Sequence, residues 1–284
     1  MKEYIEYIGI SAVLTVLAVL PHRVRVRLAG VAGKWILAPL LGWRERIRDN
    51  LTLAMPDLGA AERQDLTRRV CDHLGRLFIE LFSPKAMARV AAETPFGGPG
   101  AEALTQALAD GRPVICVSGH FGSYDVGRAA LVQRGFNVGG LYRPMNNARF
   151  NTRYERAIGA VGGQIFPRDR KGFSTMIKHL RDGGLLTLLI DQHMDRGERL
   201  SFFDQPAYTS VQAAQMALKY GAILVPIYAI RQADGLSFTI EVEPPIPATD
   251  EVTMTQAIND SLEARVRAHP EQWLWTHRRW KAAR

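Results

Sequence analysis

The stretch VICVSGHFGSYDVG, residues 114–127, runs an apolar segment into a glycine-flanked histidine, His120, and sets an aspartate, Asp125, five residues further on. Val114–Val117 shows no polar alternation, the pattern of a strand covered on both faces, which points to a parallel sheet. Gly119 and Gly122 permit close backbone approach around His120. Asp125 falls in the first turn of a helix predicted at about 123–134, where the helix dipole favours a carboxylate. In open α/β sheets ligands bind beyond the carboxyl ends of strands, and a histidine there has a pKa suited to accepting a proton.

Outward from this stretch the signals alternate. Helices are predicted near 147–160, 172–181 and 210–219, and strands at NVGGLY, GQIF, LLTLLI, AILVPIYAI and SFTIEVE. Earlier helical patterns occupy about 44–54 and 61–82, and ETPFGGPG (93–100) breaks them. The fold class is therefore α/β, a mostly parallel central sheet flanked by helices. Two parts are expected: apolar, membrane-associated helices at 1–43 and an α/β domain at 44–284.

The N-terminal part carries YIGISAVLTVLAVL (7–20) followed by Arg23, Arg25 and Arg27. The apolar run is short for a spanning helix, and the arginines follow it rather than precede it, which argues against a cleaved signal peptide. With Trp35 and Trp43 downstream, a retained single-pass or interfacial anchor and a cytoplasmic body are expected. The competing reading is two ordinary buried helices. Thirty-six Lys and Arg against 28 Asp and Glu give a net charge of +8, which favours acidic partners: anionic lipid, an acidic carrier protein or nucleic acid. No nucleic-acid motif supports the last of these. Cys71 and Cys116 stand in apolar segments without metal-site spacing and read as core.

Asp125 can turn back toward His120 and hold one ring nitrogen, leaving the other to take a proton. The same spacing recurs in HMDRGE, His193 with Glu198, without the flanking glycines. No G-x-S-x-G elbow is present, and Ser118 is a weak candidate nucleophile.

The ordered set SGHFGSYD, YRPMNN, FPRDRKG, DQH, FFDQPAYTS, ALKYGAILVP and PEQWLWTHRRWK, spanning about 114–281, resembles the late acyltransferases of bacterial lipid A biosynthesis, within the wider lysophospholipid acyltransferase group. The resemblance implies transfer of a fatty acyl group from acyl carrier protein to a hydroxyl on a lipid A precursor, at the cytoplasmic face of the inner membrane, with no metal and no cofactor. It implies His120 as the catalytic base and Asp125 as its acidic partner, and it matches Asp191 to an aspartate-bearing motif of the family. His193 stands where relatives often have aspartate.

Arg143 and Arg168 match family motif positions and follow predicted strands. They are assigned to phosphate or oxyanion contacts, the alternative being salt bridges to Asp169, Asp191 or Glu155. Arg149, Arg153 and Arg156 would share a helix face, for lipid phosphate, for the carrier protein or simply for solvent. Asp191 and Gln192 end a buried strand and are expected to position substrate. PAYTS (206–210) either seats the acyl chain or caps a helix through Thr209 or Ser210. The C-terminal tryptophans form an interfacial rim or fasten the tail. The rival functions are acyl transfer to a lysophospholipid, an ornithine lipid or a glycolipid, and a non-catalytic lipid-binding protein.

Overall fold

A computed structural model of the chain describes residues 2–281. Helices come first: α1 (Lys2–Ala18), α2 (His22–Ala32), a π-helical turn (Gly33–Leu37) into short α3 (Ala38–Leu40), α4 (Trp43–Ala54), α5 (Ala60–Leu81) and α6 (Pro84–Glu93). The short strand β1 (Phe96–Gly97) and α7 (Ala101–Ala109) lead into the alternating body. That body comprises β2 (Val114–Ser118), α8 (Tyr124–Gln133), β3 (Val138–Tyr142), α9 (Ala148–Gly159), β4 (Gln164–Pro167), α10 (Arg170–Arg181) and β5 (Leu185–Leu189). A hairpin of β6 (Glu198–Phe202) and β7 (Gln205–Thr209) follows. The chain then forms α11 (Gln212–Tyr220), β8 (Ile223–Arg231), β9 (Phe238–Val242), α12 (Glu251–Ala268) and a 3₁₀ turn at Pro270–Gln272.

The main sheet has the order β1-β9-β8-β2-β5-β3-β4. Strands β8, β2, β5, β3 and β4 are parallel, with Cys116 opposite Thr187 on one side and Val225 on the other. Within this sheet, among the described residues, only the β8–β9 pair is antiparallel. The α/β expectation holds, and β2, which carries the opening stretch, is central. Side chains of β2 alternate between two buried layers: Val114 and Cys116 pack with Val126, Ala130 and Leu131, while Ile115 and Val117 pack with Met176, Leu180 and Ala214. Each fully buried Val, Leu, Ile or Met side chain among these contributes about 1.5–3 kcal/mol relative to exposure.

A third core joins α4 and α5 to the C-terminal segment. Trp273, Trp275 and Trp280 are buried against Phe202, Phe203, Ile47 and Leu51, and the Trp273 and Trp275 rings meet edge-on at 4.8 Å. The tail is thus fastened, and the interfacial-rim reading of these tryptophans is corrected: a buried indole has no surface to offer a lipid. Arg279 is equally buried, donating to Tyr208 O at 2.7 Å and to Thr209 Oγ1.

Helix α2 lies so close to α5 that a Cβ on Gly75 would fall 2.1 Å from the carbonyl oxygen of Ala29. The inward side of α2 is Val26 and Ala29; its outward side exposes Val24, Leu28 and Val31, continued by Trp35, Ile36, Leu40 and Leu41. The spacing 24, 28, 31, 35 is one helical stripe, flanked by exposed Arg23 and Arg27. Val13 and Val16 on α1, and Val19 just after it, extend the exposed apolar surface. Among the described residues no helix is long and apolar enough to cross a membrane.

Several elements are absent from the sequence reading: α6, α7, α12 and the β6–β7 hairpin. The hairpin turns through Phe203 and Asp204, both at positive φ, so it lacks the glycine signal of a tight turn.

Candidate active site

The loops after β2, β3, β4 and β5 all leave the same edge of the sheet, because these strands are parallel. That edge surrounds a cavity of about 360 Å³ lined by His120, Asp125, Arg143, Arg168 and Gln192 among others. Deeper walls include Leu131, Ile158, Met176 and Ile227, giving an apolar interior beneath a polar mouth.

His120 leaves β2 and meets Asp191 at the end of neighbouring β5. The Asp191 carboxylate accepts from the His120 backbone N–H at 2.8 Å through Oδ2, contacts His120 Nδ1 at 2.8 Å through Oδ1, and accepts from the Trp273 indole N–H at 2.8 Å. Burial pushes the Asp191 carboxyl up, but the charge of His120 and these three donors outweigh it and hold the group at about 2. A carboxylate can only accept, so Nδ1 carries the proton. On the neutral ring Nε2 is then the free acceptor, with no hydrogen-bond partner among the described residues, and the ring lines the cavity.

The sequence expectation gave Asp125 this orienting place, and the structure gives it to Asp191. Asp125 is the second residue of α8, with its carboxylate directed at Arg128, Oδ1 to Nε 3.6 Å. Burial raises its pKa against the opposing pull of Arg128. Arg128 in turn donates to Gly162 O at 2.6 Å and to Ile158 O, so the pair braces the cavity wall against the end of α9. A five-residue offset across a strand-to-helix turn sends the two side chains apart, whereas parallel pairing of Ser118 with Leu189 brings Asp191 beneath the ring. Tyr124, between them in sequence, stands edge-on to the His120 ring at 5.5 Å and lines the cavity.

Arg143 and Arg168 are exposed at the cavity mouth. The salt-bridge alternative does not form: Glu155 accepts from the Tyr142 hydroxyl at 2.5 Å, and Asp169 caps α10 through Gly172 N at 2.8 Å. Arg143 reaches Asn146 at 3.4 Å, and Arg168 reaches Met194 Sδ at 3.6 Å. Gln192 is exposed at the mouth, while Asp191 lies beneath His120 and off the cavity wall. Arg149 and Arg153 share a face of α9 but are not among the lining residues; Arg149 sits over the Tyr4 ring at 5.2 Å, tying α9 to α1.

The rival pair separates, because His193 Nε2 meets Asp195 at 2.9 Å and Glu198 is exposed on β6. His277 was missed: its Nε2 accepts from His193 N–H at 2.9 Å and so pins the loop that carries Asp191. Burial, with His120, Arg279 and His193 nearby, lowers its pKa to about 4 despite Asp191. Thr209 is buried and holds Arg279, and Ser210 both lines the cavity and accepts from Gln212 N at 3.3 Å. Both cysteines are free and buried, and Cys116 faces the cavity.

Comparison with known proteins gives the family. The family profile "Bacterial lipid A biosynthesis acyltransferase" matches residues 1–282. The chain is 28% identical over an alignment of 293 residues to the lipid A biosynthesis lauroyltransferase of Escherichia coli, covering 99% of this chain and 92% of that one. It is 26% identical to a phosphatidylinositol mannoside acyltransferase of Mycobacterium tuberculosis over 85% of this chain and 78% of that one. It is 24% identical to the lipid A biosynthesis myristoyltransferase of Escherichia coli over 82% and 73%. With a profile match over nearly the whole chain, this protein belongs to the bacterial lipid A biosynthesis acyltransferase family.

Proposed function

We propose that the protein transfers a fatty acyl group from an acyl carrier protein thioester to a hydroxyl of a lipid A precursor or a related glycolipid, at the cytoplasmic face of the inner membrane. The observation that carries this reading is the Asp191–His120 hydrogen bond at the mouth of a cavity with an apolar interior.

An alcohol is a poor nucleophile until a base takes its proton during attack. His120 Nε2 accepts the acceptor's O–H proton as that oxygen bonds to the thioester carbonyl carbon. The carbonyl π electrons move to oxygen, and the oxyanion meets donors: the unpaired backbone N–H groups that open α8, or an arginine at the mouth. When the tetrahedral intermediate collapses, the C–S bond breaks and the leaving sulfur takes the proton from His120 Nε2–H. The products are an ester and a free carrier thiol. Asp191 stays ionised throughout and stabilises the transient imidazolium, the role a buried carboxylate plays beside a catalytic histidine. The thioester is already activated, and holding both reactants together makes a covalent enzyme intermediate unnecessary.

Arg143 and Arg168 contact phosphate of the acceptor or of the carrier's prosthetic arm. The stripe Val24, Leu28, Val31 and Trp35 with its flanking arginines lies in the lipid surface, apolar side down and cations at the head groups. Likeness to both lipid A and phosphatidylinositol mannoside acyltransferases supports a phosphorylated glycolipid acceptor. The test is product mass spectrometry with acyl carrier proteins of several chain lengths and three acceptors: a tetraacyl lipid A precursor, a phosphatidylinositol mannoside and lysophosphatidic acid. One added acyl group on a glycolipid is expected, and transfer to lysophosphatidic acid alone would replace the acceptor class.

A further inference from the structure

The turn that carries His120 is held from behind by a buried polar chain that the chemistry above does not use. His73 of α5, 4% exposed, places Nε2 3.1 Å from the carbonyl oxygen of Gly122, two residues past His120. Its Nδ1 lies 3.3 Å from Arg231 Nε. Arg231 grips Glu80 with both terminal nitrogens, at 2.5 and 2.7 Å, and Glu80 is 2% exposed.

These partners leave His73 one state. A guanidinium only donates, so Nδ1 must accept; a carbonyl only accepts, so Nε2 must carry the hydrogen. Burial and the charge of Arg231 hold the imidazole well below its ordinary pKa, which keeps it neutral. Glu80 neutralises Arg231 and fixes its plane.

Gly122 is where such a grip has most effect. Its φ is +56°, and a Cβ there would fall 1.8 Å from the carbonyl oxygen of Ala229, so the backbone is pressed onto β8. Its N–H donates to Gln272 O at 2.9 Å, while the Gln272 side chain pairs with the Arg231 backbone at 2.8 and 2.9 Å. On the other side Leu274 N donates to His120 O at 3.1 Å. Among the described residues, His73 is the one titratable side chain of the N-terminal helices hydrogen-bonded to this turn.

We propose that His73 is a positioning residue: locked as its Nε2–H tautomer by the Arg231–Glu80 pair, it holds the Gly122 carbonyl and thereby the reach of His120 into the cavity. This rests on the reading of His120 as the base. A displacement near 1 Å at a base costs on the order of 100-fold in rate.

The test compares His73→Leu, His73→Asn and His73→Gln in the detergent-purified full chain, by acyl transfer kinetics and by NMR of ¹⁵N-histidine-labelled protein. Glutamine can donate to Gly122 and accept from Arg231; leucine can do neither, and asparagine is too short to reach both. The expected result is a kcat about 10–100-fold lower for leucine and asparagine with donor KM within about twofold, and recovery to within about threefold for glutamine. The His120 Nδ1–H resonance should persist in wild type and His73→Gln and broaden or vanish in the other two, a readout that needs no turnover. If His73→Leu does not fold, the asparagine and glutamine pair decides. Unchanged kcat and an unchanged His120 resonance in the asparagine variant, or a wild-type His73 signal showing Nδ1–H, would overturn the proposal. A wild type inactive on every acceptor but with the resonance pattern expected would defeat the functional reading alone.

Discussion

Asp191 Oδ1 stands 2.8 Å from Nδ1 of His120, from the end of the adjacent parallel strand, while Asp125 turns to Arg128. The two carboxylates near the histidine therefore have separable roles, one electrostatic and one architectural, and substitution distinguishes them.

Asp191→Asn keeps the volume but loses the charge that stabilises the imidazolium and the requirement for Nδ1–H. A fall in kcat of about 10²–10⁴-fold with donor KM little changed is expected from steady-state kinetics. Asp125→Ala instead leaves the Arg128 guanidinium buried without its carboxylate. Its main effect should be a stability loss on the order of 3 kcal/mol in denaturant unfolding. Equal kcat losses and equal stabilities for the two would contradict this division.

Much of this was legible in the sequence. The uninterrupted apolar pattern of Val114–Val117 pointed to a buried parallel strand, and the glycine-flanked histidine at its end lines the cavity beyond that strand. The orienter was not legible: proximity in sequence favoured Asp125, whereas Asp191, 71 residues away, arrives through strand pairing. A polar residue ending the buried run LLTLLI was the available signal. The C-terminal tryptophans left two readings open because an amphipathic aromatic suits a rim and a core equally; contacts with Phe202 and Phe203 decide for the core.

Acid stability should follow Asp191. Its folded pKa, about 2, lies below the unfolded value of 3.8, so the unfolded state binds the proton first as pH falls. The contribution, about 2 kcal/mol, is fully present above pH ~4 and is lost between about pH 4 and 2. Urea unfolding midpoints of wild type and Asp191→Asn should converge across that window.

Arg143→Ala and Arg168→Ala each remove a guanidinium exposed at the mouth. Charge-assisted hydrogen bonds of about 1.5–3 kcal/mol correspond to a KM rise of about 10–150-fold for a phosphorylated substrate, with kcat less affected. A dephosphorylated acceptor should show a much smaller rise for whichever arginine binds the acceptor.

The stripe on α2 offers a direct test of the lipid seat. Leu28→Glu with Trp35→Glu should cut sedimentation with anionic phosphatidylglycerol vesicles at least about tenfold while leaving thermal stability nearly unchanged, since both side chains are exposed. Unaltered vesicle binding would remove this face from the account.

The role of His120 as the base of a direct acyl transfer is tested by single-turnover transfer from acyl carrier protein to the glycolipid acceptor that wild type uses, comparing wild type with folded His120→Ala. Ester formation should fall by at least about 10²–10⁴-fold, with no acyl group left on the protein. Ester formation at the wild-type rate, or an acyl-enzyme that accumulates and then passes its chain to the acceptor, would contradict it.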